Sequence, residues 1–120
     1  MLQFINKTLV QKRKMQAINM NNQPIPAKGY LIANFTIHDE ETFKKYIEAG
    51  GSLAAKFNGK VISYDVKPEV VEGRAEAIMA IMEFDTLADA KRFYNSPEYT
   101  AARQFRIAST KGTIVIVEGL

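Results

Sequence analysis

His38, Arg106, Asn34 and a scatter of tyrosines are the residues here with chemistry to offer. His38 is the sole histidine, and Asp39, Glu40 and Glu41 follow it directly. An imidazole titrates near neutral pH and suits a general base. The same four residues also read as a helix entry, with Asp39 as cap and two glutamates at the positive end. Consecutive side chains there diverge, so no metal site is expected, and helix entry and proton transfer both stay open. Arg106 falls four residues after Ala102, beside the apolar face of a predicted helix. A guanidinium near a core needs a negative partner. That partner is either Glu72, Glu83 or Glu98 in an ion pair, or the anionic group of a bound molecule. Tyr30, Tyr64, Tyr94 and Tyr99 can donate to a ligand carbonyl, or can simply pack with one wet end. Asn34 interrupts an otherwise apolar strand, and its amide needs a partner.

Other chemistries are excluded by what is missing. The 120-residue chain has no cysteine, which rules out disulfides, thiolate metal sites and a cysteine nucleophile. No P-loop, dinucleotide glycine fingerprint or G-x-S-x-G elbow occurs. The glycine pair Gly50-Gly51 lies inside a predicted helix and imitates none of these.

Charge is unevenly placed. Residues 1–28 carry five of the sixteen basic side chains (Lys7, Lys12, Arg13, Lys14, Lys28) and none of the thirteen acids. The body is therefore slightly acidic, a built-in positive groove is not expected, and nucleic acid is not an expected partner. The leading 28 residues are expected to be a basic, poorly ordered extension and linker, ending in "NMNNQPIPAK". Translation starting at Met15 or Met20 fits the same texture. Leu2, Ile5, Leu9 and Val10 could alternatively form one stripe of a surface helix for a membrane or partner. The apolar stretch of a secretory signal is missing, and the longest apolar run, Ala77 to Met82, is far too short to span a bilayer. A cytoplasmic protein with one domain, residues 29–120, is expected.

Several elements must position the candidate residues. "GYLIANFTI" (29–37) reads as a strand. Phe43, Tyr46, Ile47, Leu53, Ala54 and Phe57 repeat at helical spacing over four turns, weakened by Gly50-Gly51, which points to close backbone packing or a kink. Asn58-Gly59 is a left-handed stop. "KVISYDV" (60–66) is the second strand, "VVEG" (70–73) a short extended piece, "AIMAIMEF" (77–84) the third strand and "GTIVIVEG" (112–119) the fourth. Between the last two, Asp85 or Thr86 caps a helix carrying Leu87, Ala90, Phe93 and Tyr94 inward. In "NSPEY", Ser96 is a preferred N-cap and Pro97 suits the first helical position. One helix therefore ends near Asn95 and another runs from Pro97 to Ser109, with Ala101, Ala102, Phe105 and Ala108 inward.

This order predicts an α+β, ferredoxin-like split βαβ fold: a four-stranded antiparallel sheet with helices on one face. "AIMAIM" and "TIVIV" barely alternate, although a sheet with one wet face should. Leaving several such side chains in water forfeits roughly 1.5–3 kcal/mol each. A homodimer, sheet against sheet and closing towards a barrel, is the expected remedy.

"GYLIANFTIHDEETFKKY", "VVEG", "MEFDTLADAKRFYNSPEYTAARQFR" and the terminal "VIVEG" resemble the short bacterial proteins grouped as domain of unknown function 1330. The most specific part is F-x-T-x-x-x-A-x-x-F-Y-x-S-P-E-Y, from Phe84 to Tyr99. The resemblance spans about Lys28 to Leu120 and implies the dimeric α+β barrel superfamily, related to antibiotic-biosynthesis monooxygenases. It also implies an arginine at position 106 and a pocket between sheet and helices. No cofactor is expected; haem-using relatives rely on a histidine in their second half, where this chain has none. The expected function is a homodimer binding a small organic molecule, anionic or aromatic, through Asn34, Tyr64, Tyr94, Tyr99 and Arg106. Cofactor-independent monooxygenase- or isomerase-like activity would then use Arg106 to orient and His38 or a tyrosine to move a proton. The alternative is a non-enzymatic structural or stress-related dimer without pocket chemistry.

Overall fold

Strand β1 (Gly29–Ile37) alternates cleanly, turning Leu31, Ala33 and Phe35 into the interior and Tyr30, Ile32, Asn34 and Thr36 to the other side. The computed structural model describes Ile18 and residues 20–120. Most of the basic extension, including Leu2, Ile5, Leu9 and Val10, lies outside the described residues. Four strands form one antiparallel sheet in the order β2-β3-β1-β4, with β2 Gly59–Asp65, β3 Ile78–Phe84 and β4 Thr110–Glu118. Among the described residues three α-helices accompany it: α1 Glu40–Gly50, α2 Leu87–Asn95 and α3 Pro97–Ser109. This is the expected ferredoxin-like α+β arrangement. No helix among the described residues is long and apolar enough to cross a membrane.

Local chemistry sets the helix ends. Asp39 caps α1 by accepting from the Thr42 amide at 3.1 Å, while Glu40 and Glu41 occupy the first turn. Thr86 caps α2 through the Asp89 amide at 3.0 Å. Ser96 closes one helix and opens the next. Its hydroxyl donates to the Phe93 carbonyl at 2.8 Å and accepts from the Tyr99 amide at 3.2 Å, with Pro97 at the first position of α3. The proline breaks no helix; it begins one.

Three expectations need correction. The four-turn helix stops at Gly50, and the chain passes through a bend to a short 3-10 turn, Ala54–Phe57, before Asn58 takes the left-handed conformation. Two successive glycines remove helix propensity there, and the bend lets Leu53 and Ala54 reach the core. "VVEG" lies in the irregular segment between β2 and β3, and Val70 and Val71 are exposed with no strand beside them. On α3 the buried residues are Tyr99, Ala102 and Ser109, whereas Ala101 and Ala108 are exposed. Counting only apolar letters rotated that stripe, because the true inner face includes a tyrosine, a serine and part of an arginine.

The core sits between the sheet and the helices. Phe84, Phe93, Ala90 and Ala102 are sealed in it, with Leu31, Phe35, Phe43 and Tyr99 around them. The sheet's opposite face is also apolar: Ile32 pairs with Ile81 and Val115, and Val117 and Met79 flank them. Val115 and Val117 remain 42% and 41% exposed.

Candidate functional site

A cavity of about 270 Å³ opens between the sheet and the helices. Leu31, Ala33, Ala80, Met82 and Ile114 form its floor, all on the inner face of adjacent strands. Phe43, Tyr46 and Ile47 come from α1, and Tyr99 and Arg106 from α3. Their spacings, three and four residues in α1 and seven in α3, keep each set on one side of its helix. Val61, Tyr64 and Ile47 line the cavity yet are 58%, 51% and 50% exposed, so they mark its mouth.

Tyr64 reaches this mouth because β2 is bulged. Val61 pairs with Met82, Ser63 with Ile81 and Tyr64 with Ala80, so the register slips by one residue at Ile62. The slip puts Val61 and Tyr64, three apart, on the same inner face, which plain alternation forbids.

Polar groups gather at the α1–α3 side. The Tyr46 and Tyr99 hydroxyls lie 2.9 Å apart, with their rings edge to face at 6.2 Å. Burial, and then the neighbouring Tyr99, push the Tyr46 phenol far above its ordinary range, with Arg106 acting weakly the other way. Tyr46 is therefore a neutral hydrogen-bonding group. Burial and then the Glu40 charge raise the Tyr64 phenol as well. Arg106 makes no ion pair among the described residues, and its Nε is buried without a hydrogen-bond partner. The expected bridge to Glu72, Glu83 or Glu98 is not formed. Glu83 is engaged on the other face of the sheet by Tyr30 at 3.1 Å and Lys60 at 3.9 Å.

The six candidate residues do not all meet. Tyr64, Tyr99 and Arg106 line the cavity. Tyr94 does not; it packs on Tyr99 from the outside with Arg103 over its ring, 4.6 Å from the centroid. Asn34 lies on the opposite face, where its side chain accepts from the Glu76 amide at 3.0 Å and donates to the Glu76 and Ile78 carbonyls. Its partner is therefore backbone. His38 is exposed at the β1–α1 junction, its amide bonded to the Ser109 carbonyl at 2.9 Å, and it is not part of the lining. Tyr46 was missed as a polar residue because its helical position accounts for it as an apolar one. The available signal was its hydroxyl, which needs a partner when the ring is packed.

Among the described residues no group of three His, Asp or Glu side chains comes close enough to hold a metal ion. A larger recess of about 520 Å³ lies where Pro24 to Ala27 pass the start of α2 and the chain end. Glu118 is its only charged lining residue, so it lacks a convergent polar set.

The fold defines a ferredoxin-like α+β protein, and the open apolar cavity between its sheet and helices is lined by a single cation, Arg106. More particularly, the chain belongs to the DUF1330 family, a domain of unknown function, whose sequence pattern spans residues 28–120. No curated protein matches the sequence. Among solved structures it is similar to a protein of unknown function from Rhodopseudomonas palustris, with 13% identity and a TM-score of 0.66 over 95% of this chain and 93% of that one. It is also similar to SnoaB, a cofactor-independent oxygenase from Streptomyces nogalater, with 12% identity and a TM-score of 0.55 over 76% and 91% of the two chains. A conserved protein from Methanosarcina mazei aligns at 13% identity and a TM-score of 0.50 over 78% and 94%. At these identities the likeness is one of fold.

Proposed function

We propose that the protein is a small-molecule-binding homodimer whose cavity takes a small organic anion on Arg106. The observation that carries this reading is Arg106, which lines an apolar cavity and makes no ion pair among the described residues. An unmatched charge near a core is costly, and a ligand anion is the natural counterpart. A purely structural role for Arg106 calls for a carboxylate across from it in a filled interior, and neither feature is present among the described residues.

Turnover, if the cavity supports it, would draw on charge and hydrogen bonding from Arg106 and neutral phenols. Such groups suit proton transfer, isomerisation or cofactor-independent oxygenation, the last being the activity named for the SnoaB neighbour. His38 lies outside the cavity lining, so it is no part of this proposal.

The second copy covers the outer face of the sheet. That face has an apolar centre, Ile32, Ile81, Val115 and Val117, between two polar margins. Glu83 with Lys60 forms one margin, and Glu76 with Lys111 the other. Each margin carries both signs of charge, so neither presents a single-sign field that would repel a second copy.

A thermal-shift screen against short-chain and aromatic carboxylic acids, with Arg106→Ala in parallel, tests the ligand reading. Stabilisation of the native chain that disappears in the variant is expected. A flat response across the panel would leave the structural dimer as the better account.

A further inference from the structure

Tyr46 contributes more than a ring to the cavity. Tyr99 is only 2% exposed, and its hydroxyl has the Tyr46 hydroxyl as its hydrogen-bond partner. Each phenol carries one hydrogen and can also accept. Two phenols bonded to one another use one hydrogen and leave one over. Either hydroxyl can be the donor of the pair; the seat takes Tyr99 in that role, since it is only 2% exposed and satisfying its hydrogen inside the core is the more pressing need. The hydrogen left over therefore belongs to Tyr46, which lines the cavity. Arg106 lines it too and supplies guanidinium N–H groups, with Nε already buried and unmatched. No aspartate, glutamate, asparagine or glutamine side chain is in the lining. This corner offers donors and lacks a carboxylate or amide acceptor.

We propose that Arg106 and the Tyr46 hydroxyl form a two-point seat for the carboxylate of a compact aryl acid, one oxygen to each. This rests on the anion-binding reading above and narrows it. One cation and one neutral donor balance a single negative charge, whereas a phosphate dianion would leave an uncompensated charge among apolar walls. The volume of about 270 Å³ exceeds the roughly 150 Å³ of a cavity that holds benzene, which leaves room for one ring with its carboxylate. Phe35, Phe43 and Phe93 supply aromatic walls, and rings pack well against rings in offset or edge-on contact. Because burial keeps the Tyr46 phenol protonated, its hydrogen is available at any physiological pH.

Calorimetric titration of the full chain with benzoate, benzamide and hexanoate tests the seat, using the native protein, Tyr46→Phe, Tyr99→Phe and Arg106→Ala. Near-ultraviolet circular dichroism checks that each variant keeps its packing. Benzoate is expected to bind, and benzamide, which has the same shape without the charge, to bind far more weakly. Tyr46→Phe should weaken benzoate by about tenfold or more, the worth of a hydrogen bond to a charged group. Tyr99→Phe should cost less, since Tyr46 keeps its hydrogen. Equal affinity for hexanoate would overturn the aryl assignment while leaving the anion site standing. Benzoate binding that needs Arg106 but ignores Tyr46→Phe would overturn the two-point seat alone. No binding of either acid, or binding indifferent to Arg106→Ala, would remove both this inference and the reading beneath it.

Discussion

Gly50 and Ala102 set how closely the two roof helices approach: a methyl group on Gly50 would lie 3.2 Å from the Ala102 side chain. That contact fixes α1 against α3, and so fixes Tyr46 against Tyr99. Ala102 is fully buried, so nothing larger can turn away into solvent.

Ala102→Leu should therefore force the helices apart. A destabilisation of about 1–3 kcal/mol is expected from overpacking, read as a lower midpoint in urea unfolding. Ligand-dependent stabilisation should fall with it, because the Tyr46–Tyr99 contact is stretched. An unchanged midpoint would mean that the helices are not in tight contact here.

Asn34→Ala tests the opposite face. Three hydrogen bonds of 2.9–3.1 Å tie Asn34 to the backbone of Glu76 and Ile78. Losing them leaves backbone groups short of partners and should cost about 1–3 kcal/mol. Faster amide exchange is expected at Glu76 and Ala77, whose amides bond Asn34 and the neighbouring Thr36. Carboxylate binding should not change. A loss of binding without a loss of stability would put Asn34 back among the ligand contacts.

Val115→Asp tests the pairing of sheets. Val115 sits opposite Ile32 in the middle of the outer face. A buried, unpaired carboxylate on each copy would be strongly unfavourable in a dimer and harmless in a monomer. Sedimentation of the native chain as a dimer and of the variant as a monomer, with the same far-ultraviolet spectrum, is the expected result. A monomeric native chain at micromolar concentration contradicts the sheet-to-sheet assembly.

Alkaline pH reports on Tyr46. Its phenol is held protonated in the fold, while in the unfolded chain it ionises near its usual value of about 10. The unfolded state thus binds fewer protons above that pH, and stability must decline as pH rises through it. Below about pH 9 this contribution is complete and constant. In Tyr46→Phe the decline should be shallower, measured as urea midpoints between pH 8 and pH 11. Identical slopes would show that the hydroxyl is not sheltered.

Much of the fold was legible because its signals are local. Asp39, Thr86 and Ser96 each cap within three residues of themselves, and Asn58 takes its left-handed turn alone. The two greasy faces of β3 and β4 were visible in their failure to alternate. The break after Gly50 was harder to read, since the apolar spacing carries on to Phe57 regardless of the path the chain takes. The site was less legible still. Tyr46 and Tyr99 are 53 residues apart, and only the packing of α1 on α3 joins them. Arg106 was suspected from its place beside Ala102, but whether a carboxylate would face it depended on where Glu83 went. Glu83 went to the far side of the sheet because Phe84, its neighbour, took the core.

The slip at Ile62 makes the sidedness of a whole strand end depend on a single inserted residue. Pairing in plain register, Ile62 with Ile81 and Ser63 with Ala80, would set the aromatic gatepost of the cavity opposite Met79 on the outward surface, where it would obstruct the proposed pairing of sheets instead of guarding an entrance. A one-residue slip in pairing, with every amino acid left intact, would thus trade a selectivity element for a defect at the outer face.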